Sequence, residues 1–257
     1  MTYKGIFDTH AHYDDAERYP DVAAVLLEQR ANGVEYIINN SSDEKSSLQS
    51  VKLAGDFDFV YAAVGVHPEE AGKVEAGWLQ RIAELTKRER VVAIGEIGLD
   101  FHWDEPSREI QKVAFEAQLQ LARELNMPVE IHDRDAHGDI TELVKRYRPQ
   151  GCLHRFSGSP EMAREIVKCG MLLGIGGALT YKNSKKEIAT VAEIPLEFLL
   201  LETDCPYLAP APFRGRTCTS DMLGTVAERI AEIKGDVTPE RVIEITRENA
   251  KRLFNIK

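Results

Sequence analysis

Eight short apolar runs, separated by segments of helical periodicity, predict an α/β protein. Short, nearly continuous apolar strands that alternate with helices indicate a parallel sheet buried on both faces. Eight repeats favour closure of that sheet into a (β/α)8 TIM barrel, and a chain of 257 residues has the length that such barrels need. We expect one domain over residues 1–257, because no Pro/Ser-rich linker divides the chain. An open, doubly wound sheet is the alternative.

The predicted strands are rich in Val, Ile and Phe. They cover residues 5–8, 34–39, 59–66, 91–97, 128–132, 152–156, 171–176 and 198–202. The segments with helical periodicity cover residues 22–31, 44–54, 78–88, 110–125, 140–146 and 161–169. A last helix is predicted to begin at Thr238-Pro239, because proline is favoured at the first position of a helix.

The composition limits the class of protein and its binding mode. The formal net charge of −10 disfavours extended binding to long duplex DNA, although a metal site can supply local positive charge. The four cysteines form no CxxC pair, and we interpret them as reduced thiols. With no long apolar stretch in the sequence, we expect a cytoplasmic protein that does not enter the membrane.

Side chains that can bind metals lie at or near the C-terminal ends of predicted strands. They are His10, His12, Glu96, His132, His154 and Asp204. His10 and His12 are two positions apart on one strand, so both rings project from the same face. Strand ends converge at the mouth of a barrel, where this fold carries its chemistry. The sequence therefore predicts a metal centre at that mouth.

Four imidazoles and two carboxylates suit a first-row ion such as Zn²⁺ or Mn²⁺ better than Ca²⁺. Six ligands are enough for two divalent metal ions (Mg²⁺, Mn²⁺ or Zn²⁺) that share a carboxylate. Such a pair can activate water and stabilise a leaving oxygen, so phosphodiester hydrolysis is predicted. Candidate substrate-binding residues are His67, which could equally be structural, and the arginines Arg134, Arg155 and Arg214, whose guanidinium groups could hold phosphate.

Six motifs together resemble the TatD family of metal-dependent deoxyribonucleases, which are amidohydrolase-like TIM barrels. The motifs are FDTHAH at 7–12, GVHP at 65–68, GEIGLD at 95–100, IHDRDA at 131–136, HRFSG at 154–158 and LETDCPYL at 201–208. The resemblance implies that His10, His12, Glu96 and Asp204 surround one metal ion and that Glu96, His132 and His154 surround the other. It also implies that Asp204 accepts a proton from the attacking water, with Glu96 and Asp204 as the catalytic carboxylates.

The implied activity is a 3′-to-5′ exonuclease or related activity on DNA, with RNA or damaged sites as further candidate substrates. Separately from the resemblance, the net charge and the loop aromatics favour single-stranded or frayed ends. Arg155 stands where the family usually has cysteine, and residues 214–220 lack the family's Asn, Glu and Pro. Loop aromatics that could stack on an unpaired base are Tyr13, His102, Trp103, Tyr207 and Phe213. One alternative is a metal-dependent hydrolase of an ester or amide, such as an aminoacyl ester. Another, disfavoured by the complete ligand set, is a catalytically silent barrel that binds metal or a partner.

Overall fold

A computed structural model describes residues 3–103 and 105–257 of the chain. The strands are β1 (Ile6–Ala11), β2 (Val34–Asn39), β3 (Val60–Val64), β4 (Val91–Asp100), β5 (Val129–Arg134), β6 (Gly151–Leu153), β7 (Leu172–Ile175) and β8 (Leu199–Leu201). The helices are α1 (Val22–Ala31), α2 (Glu44–Asp56), α3 (Trp78–Leu85), α4 (Arg108–Leu125), α5 (His137–Tyr147), α6 (Pro160–Lys168), α7 (Lys185–Glu193), α8 (Leu223–Lys234) and α9 (Pro239–Phe254).

The strands form one eight-stranded sheet in the order of the sequence, β1 to β8. Pairing is parallel between β3 and β4, β4 and β5, β5 and β6, and β7 and β8. Helices separate the strands along the chain, so the prediction of an α/β fold with eight barrel strands is confirmed. In the described part of the chain, no helix combines the length and the apolar character that a bilayer crossing needs.

The chain divides into two compact units. Unit 1 comprises Met1–Ile38, Arg155–Arg164 and Leu173–Lys257. Within it, a parallel bridge between Ala11 and Cys205 joins the end of β1 to the segment after β8. The helix α9 packs on β1 and β8 and buries its apolar face there, with Val242 and Phe254. Unit 1 thus brings residues near the two ends of the chain together.

Unit 2 comprises Asn39–His154 and Glu165–Leu172. Within it, α2 packs on β3, and α4 packs on β4. Gln118 of α4 is fully buried, accepts a hydrogen bond from the Val66 backbone N at 2.8 Å and donates one to the Val66 O at 3.0 Å. This side chain substitutes for a strand partner and fixes the backbone just before His67. One domain over residues 1–257 stays a prediction.

The element bounds differ from the predictions in informative ways. The bounds of β2 and α1 agree with the sequence, whereas β4 and β5 run further than predicted. The helices α7 and α8 were not predicted. The N-cap residue of α8 is Met222, which cannot cap the helix, whereas Ser184 at the N-cap of α7, with Glu187 three residues later, was an available signal for a helix start.

Candidate metal centre

Three predicted ligands meet in unit 1, and we call them the His10 group: His10, His12 and Asp204. His10 lies in β1, His12 follows that strand directly, and Asp204 lies beyond the end of β8. The Nε2 atoms of His10 and His12 are 3.2 Å apart, and His12 Nε2 is 3.5 Å from Asp204 Oδ1. Both rings therefore lie on one side of the strand end, as the spacing of the two histidines predicts.

A buried carboxylate that the sequence analysis missed supports this group. Asp8 is fully buried and accepts hydrogen bonds from Thr203 Oγ1 at 2.6 Å, Ser220 Oγ at 2.7 Å and the Thr203 backbone N at 3.0 Å. Burial raises the pKa of Asp8 to about 6, although the hydrogen bonds from Thr203 and Ser220 oppose the shift. Asp8 thus ties β1 to the segment that carries Asp204. Its position in the FDTHAH motif, two residues before His10, was the available signal.

Two predicted phosphate-binding arginines differ in their placement within unit 1. Arg155 Nη1 lies 3.5 Å from Asp204 Oδ2, and the Arg155 side chain is 41% exposed, so it can reach a ligand. Its backbone N donates to the buried Glu202 carboxylate. Arg214 is exposed and lies over the ring of Tyr181, with 4.4 Å between the guanidinium carbon and the ring centroid. Arg155 is therefore the arginine that accompanies the His10 group.

Four residues meet in unit 2, and we call them the Glu96 group: Glu96, His67, His132 and His154. Glu96 Oε1 lies 2.8 Å from His132 Nδ1, 2.9 Å from His154 Nε2 and 3.7 Å from His67 Nε2. Candidate ligand atoms of His67, Glu96 and His132 all lie within 4.8 Å of one another, a spacing that could hold a metal ion. The structure thus places His67 among the predicted ligands.

Asp100 orients His132 and is a second residue that the sequence analysis missed. Its Oδ2 lies 3.0 Å from His132 Nε2, while His132 Nδ1 faces Glu96. Burial lowers the pKa of His132, but the hydrogen bonds with Asp100 and Glu96 outweigh burial and raise it. Burial of Asp100 raises its pKa, but the hydrogen bonds from His132 and the His102 backbone N outweigh that effect and lower it. With a proton on Nε2 directed to Asp100, Nδ1 is left as the metal-binding nitrogen.

The fourth strand was predicted to end at residue 97, one position after Glu96, but it continues to Asp100. Glu96 lies inside β4, where the register with β5 is irregular between Ile94 and Ile97. Its backbone N donates to the carbonyl of Ser41 at 2.7 Å, outside the ladder with β5. The irregularity lets the carboxylate of a residue within the strand face the histidines. Glu96, Gly98 and Asp100 alternate along the same strand, which could have pointed to Asp100.

The remaining predicted residues lie in varied surroundings. Arg134 ends β5, 3.8 Å from Asp100 Oδ2 and with its guanidinium carbon 5.9 Å from the centroid of Trp103. Trp103 is 54% exposed and remains available for stacking. Tyr13 is 1% exposed and hydrogen-bonded to Ser220, so its interpretation as a base-stacking residue is wrong.

A cavity of about 430 Å³ lies beside Trp103, and none of the predicted metal ligands lines it. The size of a cavity alone therefore does not locate the metal centre.

The donor atoms fit divalent metal ions. In the His10 group two imidazole nitrogens lie 3.2 Å apart, and in the Glu96 group His132 Nδ1 and His154 Nε2 lie 3.3 Å apart. Nitrogens this close cannot both carry a proton, whereas a shared cation satisfies both. Imidazole and carboxylate are the ligands that Zn²⁺, Mn²⁺ and similar ions accept.

A barrel with imidazole and carboxylate groups of this kind has the architecture of a metal-dependent hydrolase. The chain matches the family described as TatD related DNase over residues 7–255. It belongs to this family and is a metal-dependent hydrolase.

Individual relatives cover nearly the whole chain. The metal-dependent hydrolase YabD of Bacillus subtilis is 43% identical over 254 residues, which is 98% of this chain and 99% of the relative. The 3′-5′ ssDNA/RNA exonuclease TatD of Escherichia fergusonii is 33% identical, with 98% and 99% covered. The crystal structure of YJJV, a TatD homologue from Escherichia coli K12, superimposes with a TM-score of 0.93 at 31% identity and covers 98% of this chain and 99% of its own.

Proposed function

We propose that this protein hydrolyses phosphodiester bonds of DNA with two divalent metal ions, Mg²⁺, Mn²⁺ or Zn²⁺. His10, His12, Glu96 and Asp204 would hold one ion, and Glu96, His132 and His154 would hold the other. The observation that carries the proposal is the single carboxylate oxygen of Glu96, which lies within 3 Å of two imidazole nitrogens. Membership of the TatD related DNase family supports the choice of phosphodiester substrate.

Each protein group has a distinct task in the proposed reaction. Metal ions bound there would polarise the phosphoryl oxygen and increase the acidity of water. Asp204 accepts a proton as the water oxygen forms its bond to phosphorus, and the opposite P–O bond breaks. The leaving oxygen then takes up a proton, which Asp204 can return. Arg155, 3.5 Å from Asp204, holds a phosphate oxygen and offsets the charge that develops.

The proposed substrate is a single strand or a frayed end, cleaved from 3′ to 5′. The net charge of −10 opposes the many phosphate contacts of extended duplex binding. Trp103 and Tyr207 are 54% and 53% exposed and can stack on unpaired bases. The Escherichia fergusonii relative is itself named a 3′-5′ ssDNA/RNA exonuclease.

We also propose a cytoplasmic location. None of the four cysteines forms a disulfide bond, and Cys152, Cys205 and Cys218 are buried. Reduced, buried thiols are typical of proteins in a reducing compartment.

The function is tested by offering the metal-reconstituted protein three substrates at one salt concentration. They are end-labelled single-stranded DNA, the same sequence as blunt duplex, and an aminoacyl ester. We expect shortening of the single strand from its 3′ end and slower cutting of the duplex. Rapid hydrolysis of the ester with intact oligonucleotides would refute the proposed function and favour the ester hydrolase. Arg155→Gln should raise KM for the single strand, and Arg164→Gln, which removes an exposed arginine that pairs with Glu193, is the matched control.

A further inference from the structure

Unit 1 contains a cavity of about 220 Å³ beside the His10 group. Its lining includes Arg155, Phe156, Ile175, Leu179, Tyr181 and Glu187. Arg155 links this cavity to the His10 group, because its side chain lines the cavity and also lies 3.5 Å from Asp204. A ligand held at Asp204 can therefore extend into the cavity.

The walls of this cavity are apolar and aromatic. Phe156, Ile175 and Leu179 are buried, so their contribution is a fixed apolar surface. Tyr181 is fixed as well, because its hydroxyl donates to the carbonyl of Ala209 at 3.0 Å and Arg214 lies over its ring at 4.4 Å. A ring held in this way binds a flat aromatic ligand at little entropic cost.

The volume of the cavity and the polar groups in its lining limit the class of ligand that it can bind. Drug-sized molecules occupy sites of roughly 300–1,000 Å³, so this cavity suits one ring system and not a whole nucleotide. Glu187 also lines the cavity, and its carboxylate makes no hydrogen bond or ion pair with any residue that the structure describes. A carboxylate accepts hydrogen bonds from amino groups, as Glu and Asp do from the N4 amino group of cytosine.

We propose that this cavity binds the base of the nucleotide whose phosphate lies at Arg155 and Asp204, and that Glu187 favours bases with an exocyclic amino group over thymine. The proposal rests on the proposed function and adds a specificity-determining site to it. Arg155 would hold the phosphate at the mouth, and Tyr181 would stack on the base.

The test uses short single-stranded oligonucleotides that differ only in the terminal residue: cytosine, thymine or an abasic sugar. Ala178→Leu places a larger side chain into the lining, and Ala192→Leu makes the same change at an exposed position of α7 outside the cavity. We expect Ala178→Leu to lower kcat/KM for base-bearing ends by about fivefold to a hundredfold, the range that stacking of one base supports. Cleavage of the abasic end should be unchanged by either variant.

Glu187→Gln is a second variant that leaves the cavity volume nearly constant. It should lower the preference for cytosine over thymine by at least about fivefold, because the amide no longer offers a charged acceptor. Thermal unfolding of each variant shows whether it is folded. If Ala178→Leu does not fold, Glu187→Gln alone decides the proposal.

The outcomes separate this inference from the proposed function. If the wild-type protein cleaves no oligonucleotide, the proposed function fails. Suppose that the wild-type protein cleaves all three ends, that Ala178→Leu does not change the preference for base-bearing over abasic ends, and that Glu187→Gln does not change the preference for cytosine over thymine. The cavity is then not a base site. If Ala178→Leu slows hydrolysis of an aminoacyl ester and leaves the oligonucleotides unaffected, the cavity holds an amino-acid side chain, and the proposal is overturned.

Discussion

Replacement of Asp100 should weaken metal binding without unfolding the protein. The carboxylate is 1% exposed and lies 3.0 Å from His132 Nε2. It fixes the tautomer in which Nδ1 faces Glu96, so its loss leaves the ring free to present the wrong nitrogen. The effect should therefore reach the metal through His132, although Asp100 itself is not a predicted ligand.

The size of the effect follows from the kind of hydrogen bond. A hydrogen bond to a charged group contributes about 1.5–3 kcal/mol, and a neutral one about half as much. Asp100→Asn keeps an acceptor but loses the charge, so metal affinity should fall about tenfold. Asp100→Ala leaves the Nε2–H without an acceptor, and affinity should fall about a hundredfold, in the range known for partners of ligating histidines.

Titration of metal into the apo protein by calorimetry measures both affinities, and circular dichroism checks the fold. Asp133→Asn is the matched control, because Asp133 pairs with His137 at 2.8 Å in the same way but outside the Glu96 group. The control should bind metal as the wild type does. Wild-type affinity in a folded Asp100→Ala protein would refute the assignment of Asp100 as the residue that orients His132.

Three further predictions concern the metal ions and the scaffold. Chelation should abolish hydrolysis and added Mn²⁺ or Mg²⁺ should restore it; full activity after verified metal removal would contradict this. Glu96→Ala should lower the metal content measured by elemental analysis, whereas Asp204→Asn should keep much of the metal but lose about 10²–10⁴-fold in single-turnover rate. Retention of two metals in the first or of wild-type turnover in the second would show these roles to be wrong. Gln118→Ala should lower the free energy of unfolding, measured by urea titration, by roughly 2–5 kcal/mol, because two buried backbone groups of Val66 lose their partner. A loss below about 1 kcal/mol would mean that water takes the place of the side chain.

Local patterns were enough to predict the strand framework and the shared side of the strand end on which His10 and His12 lie. Apolar runs set the strands, and the HxH spacing places His10 and His12 on one side of a strand end. Glu96 was predicted as a ligand because its residue type could be recognised in the sequence. Its place in the middle of a longer strand was not predicted, because the irregular register with β5 leaves no local sequence pattern. The identities of the ligands stay predictions.

Long-range partners could not be predicted in the same way. Asp8 meets Thr203 and Ser220 across 195 and 212 residues, and no local periodicity records that contact. Glu187 and Tyr181 line the same cavity as Arg155 because of how segments far apart in sequence pack, which a single sequence does not show. Helix α8 was missed because its buried, Gly-containing first turn has no capping side chain.

The pairing of the first strand with the segment after the last has a consequence for synthesis on the ribosome. His10 and His12 emerge from the ribosome long before Asp204, which lies beside His12, and before Cys205, which forms the bridge to Ala11. Contacts of such sequence separation form slowly. Until Asp204 has emerged, the nascent chain therefore exposes a pair of histidines, and a metal ion that binds them early would do so without the carboxylate that completes the group. Loading in the correct order is thus expected to wait until Asp204 has been made.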